Sequence, residues 1–266
     1  MNKLKPLPEE WSGLLNNEQK EAIENINGPL LIIAGAGSGK TRVLTYRYAH
    51  LIKTYGINFE NVLAITFTNK AANEMKDRIS DLLNLELSPK WISTFHSLCV
   101  KMLRIHGHLI GFNNNFTIYD QSDSTKLVRN CMRDSDIDTK QYSPKRIQAH
   151  ISSLKNQRIL PGEAVEFAQS FFDVKVAEIY SSYQKKLMLA NSMDFDDLLI
   201  KAVELLETSD KSLNYWSSKF QYIMIDEYQD TNMVQYRLVE LLASKHKNIC
   251  VVGDSDQSIY AFRGAD

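Results

Sequence analysis

The sequence predicts an α/β protein in which helices cover both faces of a parallel β-sheet. The first observation is a set of short apolar segments, each with Gly, Asp or Thr at its C-terminal side, because strands buried on both faces are apolar without alternation. The second is that longer helix-like stretches separate these segments, as in a sheet of parallel strands. The predicted strands are residues 30–33, 62–66, 91–94, 222–225 and 249–252.

The uneven spacing of these strands is the third observation. Three of them precede residue 95 and two follow residue 220, and no segment of residues 114–193 has a strand pattern. Helix-like patterns fill this stretch instead, with breaks at Ser143-Pro144 and Pro161-Gly162. We therefore predict a core made of residues 1–113 and 194–266, with residues 114–193 as an inserted all-helical subdomain. The helix-like patterns cover residues 120–133, 144–154 and 162–189.

Composition excludes several classes of protein. A chain of 266 residues that is 44% hydrophobic and 24% charged is neither disordered, collagen-like nor a coiled coil. Its 31 basic and 32 acidic side chains exclude a uniformly positive surface but allow a local basic groove. No apolar run approaches a membrane span of about 20 residues, and the N-terminus has no apolar signal region. Cys99, Cys131 and Cys250 lack paired spacing, so we expect a reduced, cytoplasmic protein without disulfides.

A glycine-rich loop follows the first predicted strand. Residues 34–41 read AGAGSGKT and precede a helix-like segment at residues 42–53. Glycines let successive backbone N–H groups turn inward around phosphate, and the following helix adds its N-terminal partial positive charge. Lys40 would reach the β- and γ-phosphates and Thr41 would ligate Mg²⁺. The alternative is a glycine-rich turn with a solvated lysine, and Ala34 stands where the strict pattern has Gly. The predicted phosphate-contacting residues are Ala36, Gly37, Ser38, Gly39, Lys40 and Thr41.

Two adjacent acids follow the fourth predicted strand. Asp226 and Glu227 are placed where the carboxyl edge of a parallel sheet binds ligands. Asp226 would hold Mg²⁺, and Glu227 would orient and deprotonate an attacking water, which favours hydrolysis over transfer to an organic acceptor. The alternative is a solvated acidic turn.

Five longer motifs resemble those of superfamily 1 DNA helicases of the PcrA/UvrD/Rep group, in the same order and over nearly the whole chain. They are similar to that family's Q motif and its motifs Ia, Ib, II and III. In this sequence they are residues 15–23 (LNNEQKEAI), 65–75 (ITFTNKAANEM), 93–97 (STFHS), 226–232 (DEYQDTN) and 252–265 (VGDSDQSIYAFRGA).

The resemblance implies a role for each matching residue. Gln19 would contact the adenine edge, Arg42 would pack near the base, and Gln257 would sense the γ-phosphate and link it to the DNA site. Stacking faces for bases would come from Phe67, Tyr260 and Phe262. The residues along the path of the strand would be Asn69, Thr94, His96 and Arg263.

Several of these side chains have simpler interpretations. Phe67 and Phe95 are also compatible with a core position beside the sheet, and Tyr260 and Phe262 with a hydrophobic contact under a loop. His96 is more typical of a hydrogen-bonded structural histidine than of a catalytic one. Phe262 stands where the family usually has Trp, which predicts weaker stacking there.

The resemblance also implies a function for the whole protein. It would be an ATP-dependent, 3′-to-5′ translocating DNA helicase with a RecA-like P-loop NTPase fold. ATP and Mg²⁺ would be its cofactors, and single-stranded DNA and the junction with duplex its partners. The family's second RecA-like domain, with its catalytic arginines, would lie beyond Asp266, so we expect these residues alone to bind Mg-nucleotide weakly, hydrolyse it very slowly and not unwind DNA. The alternatives are a non-catalytic nucleotide- or DNA-binding module, which intact Lys40, Asp226 and Glu227 disfavour, and another P-loop enzyme such as a kinase.

One segment of the insertion is notably basic. Residues 139–162 contain five basic residues and no acidic one. This charge is compatible either with contact to nucleic-acid phosphates or with a solvated helix face. The five residues are Lys140, Lys145, Arg146, Lys155 and Arg158.

Overall fold

The computed structural model describes residues 4–35, 37–84 and 89–254. Internal contacts divide the chain into two compact units, the first made of Met1–Leu98, Asp210–Thr231 and Val239–Asp266 and the second of Cys99–Ser209 and Asn232–Leu238. The helices are α1 (Glu9–Ser12), α2 (Asn17–Glu24), α3 (Lys40–Lys53), α4 (Asn69–Leu83), α5 (Phe95–His106), α6 (Gln121–Asp134), α7 (Pro144–Asn156), α8 (Phe171–Leu189), α9 (Phe195–Thr208), α10 (Asp210–Lys219) and α11 (Met233–Ala243). The strands are β1 (Leu30–Ile33), β2 (Val62–Thr66), β3 (Ile92–Thr94), β4 (Thr117–Ile118), β5 (Ser192–Met193), β6 (Tyr222–Ile225) and β7 (Ile249–Gly253).

The first unit is built on a parallel sheet, which confirms the predicted fold class. Within the described residues, five strands form this sheet in the order β1-β7-β6-β2-β3, and every pair is parallel. All five predicted strands are present; β3 begins one residue later than predicted, and β7 continues to Gly253. Because the strands are parallel, all their carboxyl ends lie at one edge of the sheet.

Burial along the strands explains their continuous apolar sequences. Every residue of β2 and β6 is buried, although successive side chains point to opposite faces, so both faces are covered at the sheet centre. Helices α3 and α4 contribute Leu44, Tyr48 and Met75 to the core on one face, where they pack with Val62 and Met224 of the strands. The edge strand β1 differs, because its Leu31 and Ile33 are exposed.

The second unit is helical except for one short strand pair. β4 and β5 are two residues each and pair in parallel, so the prediction that residues 114–193 contain no strand is wrong. Two-residue strands are too short to produce a recognisable apolar pattern. The core of this unit is formed by residues from α6, α7 and α8, among them Val128, Ile147, Ile151 and Tyr180.

The predicted start of the helix over residues 162–189 is wrong. Helix α8 begins at Phe171, and the residues before it form turns. The Ser170 side chain caps the helix by accepting a hydrogen bond from the backbone N–H of Asp173. Serine is a preferred residue at this position, so the sequence contained a signal for the helix start. The second compact unit comprises Cys99–Ser209 and Asn232–Leu238, whereas the strand pattern placed the insertion at residues 114–193.

Lys155 is not on the surface of the basic segment. Its side chain is fully buried, and its Nζ donates to Asp194 Oδ2 at 2.7 Å and to Asp197 Oδ1 at 2.8 Å. For Lys155, both interpretations of the basic segment, contact with nucleic-acid phosphates and a solvated helix face, are therefore wrong. The signal was present in the sequence, because Lys155 follows the buried Ile147 and Ile151 at intervals of four residues and so shares their helix face. None of the helices in residues 4–35, 37–84 and 89–254 has the length and apolar character needed to cross a membrane.

Candidate functional site

Three neighbouring strands bring the glycine-rich loop and two aspartates to one edge of the sheet. The glycine-rich loop follows β1, Asp254 follows β7, and Asp226 follows β6. Residues at the ends of these strands pair directly, with Ile33 beside Gly253. The Ala34 N–H also donates to the Gly253 carbonyl at 3.1 Å, so the loop starts in contact with the end of β7.

The loop needs glycine at the position where α3 begins. Gly39 is left-handed, with φ of 87°, and serves as the N-cap residue of α3. A Cβ atom at Gly39 would lie 2.9 Å from the Nε2 of Gln19, which is too close. Gly37 has φ of 74°, a conformation that residues other than glycine rarely adopt. The loop therefore exposes backbone at the N-terminus of a 14-residue helix, where the helix dipole favours anions.

Gln19 connects helix α2 to this loop. Its Oε1 accepts from the Asn16 N–H at 3.1 Å and its Nε2 donates to the Ser38 carbonyl at 3.0 Å. The Gln19 backbone N–H donates back to Asn16 Oδ1, which completes a capping box at the start of α2. The structure thus places Gln19 against the loop, and its contact with adenine stays a prediction.

Lys40 is already held by polar partners. Its Nζ donates to Asp254 Oδ2 at 3.0 Å and to the Ala34 carbonyl at 3.0 Å. Its side chain is 9% exposed and that of Asp254 is 3% exposed, so this is a nearly buried ion pair. Asp254 was not among the predicted site residues.

Thr41 and Asp226 are brought together from distant parts of the chain. The Thr41 hydroxyl donates to Asp226 Oδ2 at 3.0 Å. Burial raises the pKa of the Asp226 carboxyl above its ordinary value, while the hydrogen bond from Thr41 opposes that shift. A hydroxyl and a carboxylate are hard oxygen ligands of the type that Mg²⁺ binds, usually together with substrate phosphates. The pair therefore has the chemistry of a magnesium site.

Glu227 is positioned by an unusual backbone conformation and by Gln229. Glu227 has φ of 53°, in the left-handed region, and its N–H donates to Asp226 Oδ1 at 3.1 Å. Gln229 Nε2 donates to Glu227 Oε2 at 2.8 Å, and Gln229 Oε1 accepts from the Asp254 N–H at 3.0 Å. A Cβ at Gly253 would lie 3.0 Å from Gln229 Oε1, so the glycine leaves room for this bridge.

Gln229 and Asp254 are the residues that the sequence reasoning missed. Both lie within the quoted motifs, at residues 226–232 and 252–265. A polar residue directly after a parallel strand indicates a candidate ligand-binding position. Asp254 is such a residue, because it directly follows β7.

Arg42 lies one residue beyond Thr41 and is exposed. Its guanidinium is 5.7 Å from the centre of the Tyr46 ring. Both residues line an open cavity of about 400 Å³ between α3 and α4, together with Thr45, Arg78, Asp81 and Leu82. The cavity has room for a planar group beside Arg42.

The ends of β2 and β3 carry the residues assigned to DNA. Phe67 is half-buried and its ring meets that of Phe95 edge-on, with centroids 6.2 Å apart. Phe95 is only 2% exposed, so the core interpretation holds for Phe95. Asn69 is exposed in the first turn of α4, next to its N-cap residue Thr68.

Thr94 and His96 lie at the start of α5. The Thr94 hydroxyl donates to Ser97 Oγ at 3.0 Å and accepts from the Ser97 N–H at 3.3 Å, so it stabilises the first turn of the helix. His96 is half-buried. Contact of Thr94 and His96 with DNA stays a prediction. Five other predicted site residues lie outside the described residues, namely Ala36, Gln257, Tyr260, Phe262 and Arg263.

A parallel sheet with a glycine-rich loop between a strand and a helix is the architecture of P-loop nucleotide-binding proteins. Residues 15–266 match the UvrD/REP helicase N-terminal domain, and the chain belongs to this helicase family. It is 50% identical over 252 residues to the ATP-dependent DNA helicase PcrA of Staphylococcus aureus (strain Mu50), covering 95% of this chain and 34% of that protein. It is equally similar to PcrA of Staphylococcus epidermidis (strain RP62A), of which it covers 35%. The chain thus spans about a third of the length of these curated relatives.

Proposed function

We propose that this chain binds Mg-ATP at its glycine-rich loop and supplies the phosphate-binding half of the motor of an ATP-dependent DNA helicase. One observation carries the proposal. The glycine-rich loop places Lys40 and Thr41 at the same sheet edge as Asp226, and Thr41 is already hydrogen bonded to that carboxylate at 3.0 Å. The relatives named ATP-dependent DNA helicases support the nucleotide and the substrate.

Binding of the triphosphate would use the loop, Lys40 and the metal pair. Backbone N–H groups at the start of α3 would donate to phosphate oxygens, and the Lys40 ammonium would contact the β- and γ-phosphates. Thr41 and Asp226 would hold Mg²⁺, which would neutralise charge on the phosphates when bound. The base would lie between Gln19 and Arg42, beside the cavity that Arg42 lines.

Hydrolysis would depend on Glu227. A carboxylate next to the metal-binding Asp226 can orient a water and accept its proton as the water attacks the γ-phosphorus. The hydrogen bond from Gln229 holds one Glu227 oxygen in place, so the other is available for the water. Gln257 would detect the γ-phosphate, as the family resemblance implies.

Single-stranded DNA would contact the ends of β2 and β3. Phe67 would stack on a base, and Asn69, Thr94 and His96 would line the path of the strand, with Tyr260, Phe262 and Arg263 adding further contacts. Stacking on an aromatic side chain contributes about 1–3 kcal/mol per base. We place the protein in the cytoplasm, where a DNA motor meets its substrate.

Unwinding of a junction, with 3′-to-5′ translocation, is proposed for the whole protein. The relatives are about three times as long as the matched region, since the chain covers 34% of the S. aureus protein. We propose that a second RecA-like domain contributes arginines to the transition state in the whole protein. Arginines in that role raise the rate by about 10³–10⁵ in other nucleotide hydrolases.

The test measures binding of nucleotide and of single-stranded DNA by this chain. Fluorescent ADP is expected to bind to the wild type, whereas Lys40→Ala should weaken binding at least about tenfold, because one charge-assisted contact of 1.5–3 kcal/mol is lost. Phe67→Ala should leave ADP binding unchanged and weaken binding of a labelled dT oligonucleotide about five- to a hundredfold. Phe167→Ala, which removes a ring that is 57% exposed in the second unit, is the matched control.

Other results would contradict the proposal. ADP binding that is unaffected by Lys40→Ala would place the nucleotide elsewhere. Transfer of phosphate from ATP to a small acceptor, independent of DNA, would support a kinase instead. Equal loss of DNA binding in Phe67→Ala and Phe167→Ala would remove the specific role of Phe67.

A further inference from the structure

The lysine that is proposed to bind phosphate has an anionic partner within the protein. Lys40 Nζ lies 3.0 Å from Asp254 Oδ2, and both side chains are almost completely buried. A buried ammonium that has lost its partner is strongly destabilising, because its hydration is not replaced. Removing the Asp254 charge alone would therefore destabilise the protein in the absence of nucleotide.

Asp254 is fixed more firmly than Lys40. It directly follows β7, and its backbone N–H donates to Gln229 Oε1 at 3.0 Å. The neighbouring Gly253 is paired with Ile33 in the sheet, and a Cβ at Gly253 would lie only 3.0 Å from Gln229 Oε1. Lysine, in contrast, has a flexible four-carbon chain and can redirect its ammonium. The lysine is thus the partner that can move.

Phosphate and the Asp254 carboxylate would compete for the same ammonium. Both are anions, and both need the Lys40 donors. The phosphates would also bring negative charge close to a carboxylate that is only 3% exposed, where repulsion is screened less than in water. Each effect opposes nucleotide binding while the carboxylate is charged.

We propose that Asp254 is an internal counter-ion of Lys40 which the nucleotide phosphates must displace, so that Asp254 sets the affinity of the loop for nucleotide. This inference rests on the proposed function of the loop. Asp254 does not help to bind the phosphates, and its removal makes binding tighter. The opposite roles, in which Asp254 aims Lys40 at the phosphate or holds Mg²⁺ through water, both require that its removal make binding weaker.

The experiment measures binding of fluorescent ADP to the wild type and to Asp254→Asn, each with Mg²⁺ and with EDTA. Asparagine keeps the size and the backbone N–H but removes the charge. Affinity is expected to rise about tenfold in both conditions, and Tm without nucleotide is expected to fall, since Lys40 loses its counter-ion. Asp77→Asn, which removes the same charge from an exposed position of α4, is expected to change neither.

Each alternative result overturns the inference in a recognisable way. Weaker binding in both conditions would show that Asp254 positions Lys40 for phosphate. Weaker binding only with Mg²⁺ would assign Asp254 to the metal, and unchanged binding would show that the two anions do not compete. A wild type without Lys40-dependent binding would instead overturn the proposed function itself, and with it the competition.

A second measurement does not depend on the folding of Asp254→Asn. In wild-type protein labelled with ¹³C at aspartate carboxyl groups, ADP should shift the Asp254 resonance, because its carboxylate loses the ammonium. Asp254→Glu identifies that resonance and, because it keeps the charge, should bind ADP within about threefold of the wild type. An Asp254 signal that is unchanged at saturating ADP would overturn the inference.

Discussion

Two buried lysines, Lys40 in the first unit and Lys155 in the second, make similar contacts but differ in what their surroundings allow. Lys155 contacts two aspartates and its side chain is fully buried, whereas Lys40 contacts one aspartate and a backbone carbonyl. Asp194 and Asp197 are held in turn by Tyr183, by Gln184 and by each other's backbone N–H at the start of α9. Lys40, in contrast, lies directly after a glycine-rich loop whose residues 37 and 38 are exposed.

The difference separates an ion pair that stabilises the fold from one that can be exchanged. Each carboxylate oxygen near Lys155 already accepts a hydrogen bond from the protein. The Lys155 side chain has no exposed surface, so an added anion has no route from solvent to its ammonium. At Lys40 an anion can approach over the exposed loop, and the helix N-terminus adds donors for it. Burial of a charge alone therefore does not indicate function, and the two lysines differ in whether a ligand can reach them.

The largest expected effect is on stability, from Lys155→Met. Two buried carboxylates would lose their cation, which should lower the free energy of unfolding by about 3–5 kcal/mol in urea denaturation followed by circular dichroism. Lys40→Met should cost less, because a single carboxylate loses its cation. Combining Lys155→Met with Asp194→Asn and Asp197→Asn should restore much of the loss. Equal losses of free energy of unfolding in Lys155→Met and Lys40→Met would show that the two sets of contacts do not differ in their effect on stability.

The next effect is a pH dependence of the free energy of unfolding, expected from the two aspartates that contact Lys155. Burial raises the pKa of Asp197 to about 6 from an ordinary value of 3.8, while Lys155 opposes that shift. The folded protein therefore binds more protons than the unfolded chain between about pH 4 and pH 6, and the contribution of Asp197 to the free energy of unfolding falls as pH rises through this window. Burial also acts to raise the pKa of Asp194, but the Lys155 charge and hydrogen bonds outweigh burial, so the pKa of Asp194 is lowered. The contribution of Asp194 to the free energy of unfolding is therefore lost as pH falls, opposite to that of Asp197.

Asp197→Asn isolates this titration. Relative to the variant, the wild type should lose up to about 3 kcal/mol of free energy of unfolding between pH 4 and pH 7. Above pH 7 this difference should be constant. Urea denaturation at a series of pH values measures both proteins. Parallel curves for the two would show that Asp197 stays ionised throughout.

The smallest effect concerns the exposed remainder of the basic segment. Lys140 and Lys145 are exposed, whereas Arg158 pairs with Glu207 at 2.8 Å. If this surface binds duplex, Lys140→Gln with Lys145→Gln should reduce the slope of log K against log salt by up to about 2, since each lost phosphate contact removes about 0.9. The exposed Lys185, changed to Gln, is the control for overall charge. An unchanged slope would show that these lysines are solvated and do not contact duplex.

The parts of the fold that were predictable depend on local pattern. The strands were found because a segment buried on both faces must be apolar throughout, as in β2 and β6. The loop was found because glycine is needed where the backbone turns left-handed, as at Gly39. The start of α8 was missed because apolar residues before Phe171 have helix-like spacing, although the helix is capped at Ser170.

The sequence by itself determined which segments form strands and helices and which short motifs carry charge, because these properties depend on neighbours along the chain. Only the tertiary structure decided which charges meet. Lys40 and Asp254 are 214 residues apart. They come together because β7 lies between β1 and β6, an order that the packing of crossover helices on the sheet determines and that no local pattern encodes.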